Sequence, residues 1–104
     1  MPLRLIESGE LISFDGRDNL IVGRTYKEET PAIDLGPYDG KRLGISRQHI
    51  KLTRLGEQWY VEDLDSTNGT FLNGIQITPH QPTAINHGDY LRLGTMEMQF
   101  GVEG

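Results

Sequence analysis

The sequence predicts an all-β domain, a sandwich or a barrel, on three observations. Helix-period apolar patterns of useful length are absent, short runs alternate apolar with polar residues, and turn-forming residues separate those runs. Thirteen glycines and five prolines among 104 residues supply the turns, and the length suits one domain over residues 1–104.

Taken in order, Leu3-Arg-Leu-Ile6, Leu11-Ile-Ser-Phe14 and Leu20-Ile-Val22 read as three early strands, the first two separated by Ser8-Gly9-Glu10. Residues 25–45 contain Lys27-Glu28-Glu29, Pro31, Pro37 and Asp39-Gly40, with Ala32-Ile-Asp-Leu35 alone strand-like. They read as a long ordered loop carrying one short strand, and loops of that length inside a small domain tend to carry function. Ile50–Leu55 and Gln58–Leu64 alternate around Gly56-Glu57 and form a hairpin. In the second of these strands Trp59 and Tyr60 are adjacent, so one of them faces the core. Phe71-Leu72 and Ile75–Ile77 form another hairpin around Asn73-Gly74, the dipeptide suited to a type I′ turn because both central residues need positive φ. Thr83–Asn86, Asp89–Gly94 and Met96–Val102 complete about ten short strands, with Gly88-Asp89 and Gly94-Thr95 as turns.

Fifteen acidic against ten basic residues leave a formal charge of −5, which argues against holding nucleic acid or an anionic membrane through net charge. With no cysteine there is no disulfide, thiolate nucleophile or sulfur-ligated zinc, in keeping with a reducing compartment. The opening residues lack the apolar region of a signal peptide, and no apolar run approaches the roughly 18 residues of a membrane span. A cytoplasmic domain without a cofactor is expected.

Half of the basic residues, Lys41, Arg42, Arg47, Lys51 and Arg54, fall between Gly40 and Gly56 with no acid among them. Lys51 and Arg54 alternate with apolar neighbours and read as a solvated strand face. Arg42 and Arg47 lie in loop sequence, where no strand face accounts for them. Arg24 follows Gly23 at a strand end, a place where glycine permits close backbone approach and the guanidinium projects over the sheet rim. Ser46-Arg47-Gln48-His49, before the strand at Ile50, offers a hydroxyl, backbone N–H groups and a guanidinium suited to an oxyanion. Asp65-Ser66-Thr67-Asn68-Gly69-Thr70 is a polar loop that on its own reads equally as a well-formed turn.

Together these motifs, with Asn73-Gly74, Gly88-Asp89 and Leu93-Gly94, resemble the forkhead-associated (FHA) family in order and approximate spacing over nearly the whole chain. The resemblance implies a β-sandwich of about eleven strands whose loops at one end recognise a phosphothreonine-containing protein or peptide in signalling, often within a larger multidomain protein. It further implies that Arg24 and Ser46 bind the phosphate, that Arg47 adds a donor, that Thr67 contributes a hydroxyl and the methyl pocket, and that Asn68 holds the peptide backbone. Gly23, His49, Gly69, Asn73 and Gly74 would support the site, and Lys41, Arg42 and Gly44 would form a specificity loop. Where some members carry a basic residue two places before the serine, this chain has Gly44. The phosphate site therefore transfers better than any preference at flanking positions.

Other classes fit less well. Ser46, His49 and Asp63 invite a hydrolase triad, but the Gly-x-Ser-x-Gly elbow is missing. His49, His80 and His87 are scattered, without companions for a metal. An oligonucleotide-binding barrel would want a basic groove with exposed aromatics. A phosphate-independent interaction module on the same scaffold remains the alternative.

Overall fold

Along strand β6 (Gln58–Asp63) Trp59, Val61 and Asp63 are buried while Gln58, Tyr60 and Glu62 are partly exposed, the period of two that strand geometry imposes. The same alternation organises a computed structural model that describes residues 1–102 as eleven strands. These are β1 (Pro2–Leu5), β2 (Leu11–Ser13), β3 (Asn19–Gly23), β4 (Ile33–Asp34), β5 (Gln48–Leu55), β6, β7 (Thr70–Leu72), β8 (Ile75–Gln76), β9 (Thr83–Ile85), β10 (Tyr90–Leu93) and β11 (Met96–Phe100). One sheet has the order β2-β1-β11-β10-β7-β8 and the other β4-β3-β5-β6-β9. Their inner faces bury Leu3, Val22, Leu52, Val61, Leu93 and Met98 completely or nearly so. Phe14, Trp59 and Phe100 meet at the centre with ring centroids 5.2–5.9 Å apart, edge and tilted contacts worth about 0.5–1.5 kcal/mol each beyond area burial.

Both expected hairpins form. β5 and β6 pair from Ile50↔Asp63 to Leu55↔Gln58, and β7 and β8 pair across Asn73 and Gly74, whose φ values of 49° and 85° are the positive pair a type I′ turn requires. Of the adjacent aromatics, Trp59 turns inward and Tyr60 lies half-buried on the outer face.

Most strand ends shift from the sequence expectation by one or two residues, and two differences bear on the site. β5 begins at Gln48 rather than Ile50, because beyond an irregularity at Val22/Gly23 the ladder with β3 continues through Gly23↔Gln48. His49 is therefore a strand residue. In the 25–45 segment the strand contracts to Ile33–Asp34 and pairs parallel to β3 through Val22↔Ile33 and Gly23↔Asp34. A 3-10 turn over Gly36–Tyr38 follows. No helix among the described residues is long and apolar enough to cross a membrane.

Candidate functional site

Four inter-strand segments meet at one end of the sandwich. The Arg24 N–H donates to the Arg47 carbonyl at 3.1 Å, the Gly94 N–H to the Gly69 carbonyl at 3.0 Å, and the Thr95 N–H to the Leu43 carbonyl at 2.9 Å. The approach of the first pair depends on Gly23. A Cβ there would stand 2.0 Å from the Arg47 carbonyl oxygen, so any side chain would push the 46–48 backbone away.

That contact sets Arg24. Its Nε–H donates to the Ile45 carbonyl at 2.7 Å, which fixes the plane of the guanidinium and leaves its two terminal NH2 groups without a partner among the described residues. Arg47 is held differently: its guanidinium carbon lies 3.1 Å from the centroid of the Tyr26 ring. Stacking of this kind orients the planar fork while leaving its N–H groups able to bond in the plane. Tyr26 is itself fixed by reciprocal backbone hydrogen bonds with Glu29, both 3.0 Å, across Lys27 and Glu28.

Ser46 stands between these arginines and the 65–70 loop. Its Oγ accepts the Thr67 N–H at 3.1 Å, so a lone pair is engaged and the hydroxyl proton remains to donate outward. Its own N–H donates to His49 Nδ1 at 3.0 Å, and His49 Nε2 contacts the Gly69 carbonyl at 2.9 Å. A backbone N–H can only donate, so Nδ1 is the acceptor and Nε2 carries the proton. Burial pushes the His49 pKa below its ordinary value, outweighing the Gly69 carbonyl and the nearby Asp63 carboxylate, which pull it up. With both ring nitrogens committed to backbone groups, His49 cannot take the Ser46 hydroxyl proton, and a Ser-His-Asp triad does not assemble.

Asp63 shapes the loop from below. Only 2% exposed, its carboxylate accepts Ser66 Oγ and Thr70 Oγ1, each at 2.6 Å, and the Ser66 N–H at 3.1 Å. Burial alone would raise this carboxyl, but the hydrogen bonds from Ser66 and Thr70 together with His49 outweigh it and hold the group below its ordinary range. Ser66 Oγ accepts the Gly69 N–H in turn. Thr67 and Asn68 are thereby presented on an exposed crest, and Asn68 Nδ2 donates to the Gly44 carbonyl at 3.1 Å.

The residues singled out by sequence separate into two groups. Gly23, Arg24, Gly44, Ser46, Arg47, His49, Thr67, Asn68 and Gly69 are brought together by the contacts above. Asn73 and Gly74 serve as the β7–β8 turn, and the Asn73 side-chain oxygen accepts the Tyr90 N–H at 2.9 Å. Lys41 is exposed in the turn before Gly44. Arg42 pairs with Asp39 at 2.9 Å and lines a different groove, so it does not join Arg24 and Arg47. Gly44 has φ +88°, and a Cβ there would lie 2.7 Å from Asn68 Nδ2. A basic side chain at this position would therefore cost the Asn68 contact.

Sequence reasoning missed three contributors. Tyr26 orients Arg47, and the available signal was an aromatic within the polar stretch 25–30. Asp34 accepts the Thr25 N–H and hydroxyl and the Gly36 N–H, bracing the loop behind Arg24. Arg17 shares with Asn19, Arg24, Thr30, Arg47 and Gln48 a groove of about 550 Å³, and no motif marked it. Among the described residues no group of three His, Cys, Asp or Glu side chains stands close enough to hold a metal ion.

The arrangement offers fixed N–H and O–H donors and two guanidinium groups, the donor set that suits a multiply charged oxyanion. The family model for the FHA domain matches residues 20–94. Curated relatives include the FHA domain-containing protein At4g14490 of Arabidopsis thaliana, 29% identical over 83% of this chain and 20% of its own length. FhaA of Mycobacterium tuberculosis is 37% identical over 73% of this chain and 15% of its own. The chain thus spans well under two thirds of the curated relatives it matches. Among solved structures, the FhaA FHA domain complexed with the intracellular domain of Rv3910 superposes with a TM-score of 0.72 at 29% identity, covering 94% of this chain and 96% of that one. A second, from work on phosphothreonine-dependent FHA domain interactions, gives 0.69 at 28% identity, covering 94% and 91%.

Proposed function

The chain belongs to the FHA domain family, and from that premise we propose that it is a phosphothreonine-recognition module mediating phosphorylation-dependent protein–protein interaction in signalling. The observation that carries this reading is the convergence of Arg24, Ser46 and Arg47, each oriented by a contact that leaves donors unpaired. A phosphothreonine brings about −1.5 to −2 charges and three strong acceptor oxygens, which such a set accommodates. Arg24 and Ser46 bind the phosphate, Arg47 adds charge and donors, Thr67 lies against the threonine methyl, and Asn68 holds the peptide backbone. Because the donors are tied to a rigid sandwich, little ordering entropy is lost on binding.

Residues 1–104 act as one such domain: β1, β2 and β11 lie outside the matched 20–94 but complete the six-stranded sheet. The domain itself is non-catalytic and operates in the cytoplasm as part of a larger assembly of domains. Titration calorimetry against a degenerate phosphothreonine peptide library tests the reading. Binding is expected for phosphothreonine, weaker for phosphoserine and negligible for the dephosphorylated pool; equal binding of all three would overturn it.

A further inference from the structure

Pro37, Tyr38, Asp39, Arg42 and Leu43 help line a second groove of about 560 Å³ that shares no residue with the first. Its apolar lining comes from Leu5, Ile6, Pro37, Tyr38, Leu43 and Met96, and Ile6 is 39% exposed although it adjoins the core strand β1. An apolar recess open to water at a sheet end is the kind of surface that protein partners cover.

The charges around the two grooves are opposite. Arg17, Arg24 and Arg47 face Glu29 in the first, whereas Glu7, Asp39 and Glu97 face Arg42 in the second. Arg42 offsets Asp39, with which it pairs at 2.9 Å, and leaves Glu7 and Glu97 in excess around the groove. A further acid, Glu10, stands near enough to the Tyr38 hydroxyl to raise its pKa. A phosphorylated or acidic segment is repelled here and attracted to the first groove.

We propose that this groove docks an unphosphorylated partner segment in which apolar side chains are flanked by lysine or arginine. The apolar residues fill the recess over Ile6, Leu43 and Met96, and the basic residues meet Glu7 and Glu97 at the rim, a complementarity that sets orientation and association rate more than raw affinity. A second copy of this chain is the poorer occupant, because a two-fold contact would set the Glu7 and Glu97 rims against themselves on molecules that each carry −5. If one partner presents both a phosphothreonine and this segment, the two grooves bind it with avidity.

The test selects binders to the whole domain from a display library of unphosphorylated random short peptides, then measures the enriched peptides by fluorescence anisotropy. Enriched sequences are expected to combine apolar with basic residues and to carry few acids. Their affinity should drop at least about tenfold in Ile6→Asp and also in the double variant Glu7→Lys, Glu97→Lys, whose melting temperatures serve as the check on folding. Affinity of the domain for a phosphothreonine peptide should stay unchanged in both variants, and selection of docking peptides proceeds whether or not the phosphate site performs as proposed. Absence of any enriched peptide, enrichment of acidic sequences, or equal binding by the folded variants would overturn the proposal. So would sedimentation showing a wild-type dimer that Ile6→Asp dissociates, since the groove would then belong to a second copy.

Discussion

The imidazole of His49 holds the backbone of Ser46 and not its hydroxyl: Nδ1 accepts the Ser46 N–H while Nε2 donates to the Gly69 carbonyl. One buried side chain thus ties the segment before β5 to the segment before β7. The tie requires a neutral ring, because a protonated Nδ1 could not accept. Stability should therefore be full above the ordinary histidine value of 6.5 and fall as the pH drops through it toward the lower folded-state value, since the unfolded chain then binds the extra proton first. Denaturant melts at stepped pH measure this. His49→Gln should be less stable at neutral pH and should lack that component of the decline; identical slopes would contradict the assignment.

Arg24→Ala should remove at least about tenfold of the phosphothreonine-peptide affinity, because hydrogen bonds to charged groups contribute roughly 1.5–3 kcal/mol each. Arg24→Lys should not restore it, as an ammonium cannot both bond the Ile45 carbonyl at the Nε position and present a planar fork. Calorimetry with a circular dichroism control decides, and full affinity in a folded Arg24→Ala domain would remove Arg24 from the site.

Tyr26→Ala should weaken peptide binding less than Arg24→Ala does, by the about 0.5–1 kcal/mol typical of an exposed cation–π contact, whereas Tyr26→Phe should bind as wild type. Affinity unchanged in Tyr26→Ala would mean that Arg47 is oriented without the ring.

Gly23→Ala introduces a methyl group 2.0 Å from the Arg47 carbonyl oxygen. Overpacking against backbone costs about 1–3 kcal/mol, and the same shift separates Arg24 from Ile45, so stability and affinity should fall together. Urea melts paired with peptide titration would expose a dissociation of the two effects.

Asp63→Ala leaves the buried Thr70 hydroxyl and the part-buried Ser66 hydroxyl without their acceptor and should destabilise by roughly 1–3 kcal/mol, the cost of a buried polar group left unpaired. In the wild type the carboxyl titrates below its ordinary 3.8. Its contribution is therefore present above that value and lost as the pH falls through the lower folded value. Acid titration of the two proteins should show the Ala variant without this component below 3.8.

Periodicity and turn chemistry located the strands because both act over a few residues. Gln58–Asp63 alternates as a half-buried strand must, and Asn73-Gly74 takes the turn its φ values allow. Gly23-Arg24 and Ser46–His49 were legible as motifs, and the backbone contact between Gly23 and Arg47 is what makes them one site. The misses share a different cause. The start of β5 at Gln48, the stacking of Tyr26 on Arg47 and the turn of Arg42 toward Asp39 all depend on residues remote in sequence or on the path of a loop. Alternation of apolar and polar residues encodes none of these; Arg42, expected with Lys41 and Gly44 in a specificity loop, pairs with Asp39 three residues before it.

The parallel pairing of β4 on β3 makes residues 24–32 a closed excursion, leaving at Gly23 and rejoining at Ile33 beside Val22. Its two roots are anchored in the sheet, and its inner turn at Lys27 and Glu28 is bridged by Tyr26 and Glu29. An insertion at that turn would therefore open the Tyr26–Glu29 bridge and loosen the ring that seats Arg47, while the two anchored roots keep the disturbance from the core. For protein engineering, the turn is thus a lever on the anion receptor that acts through Tyr26 and its hold on Arg47 and leaves the sheet pairing intact.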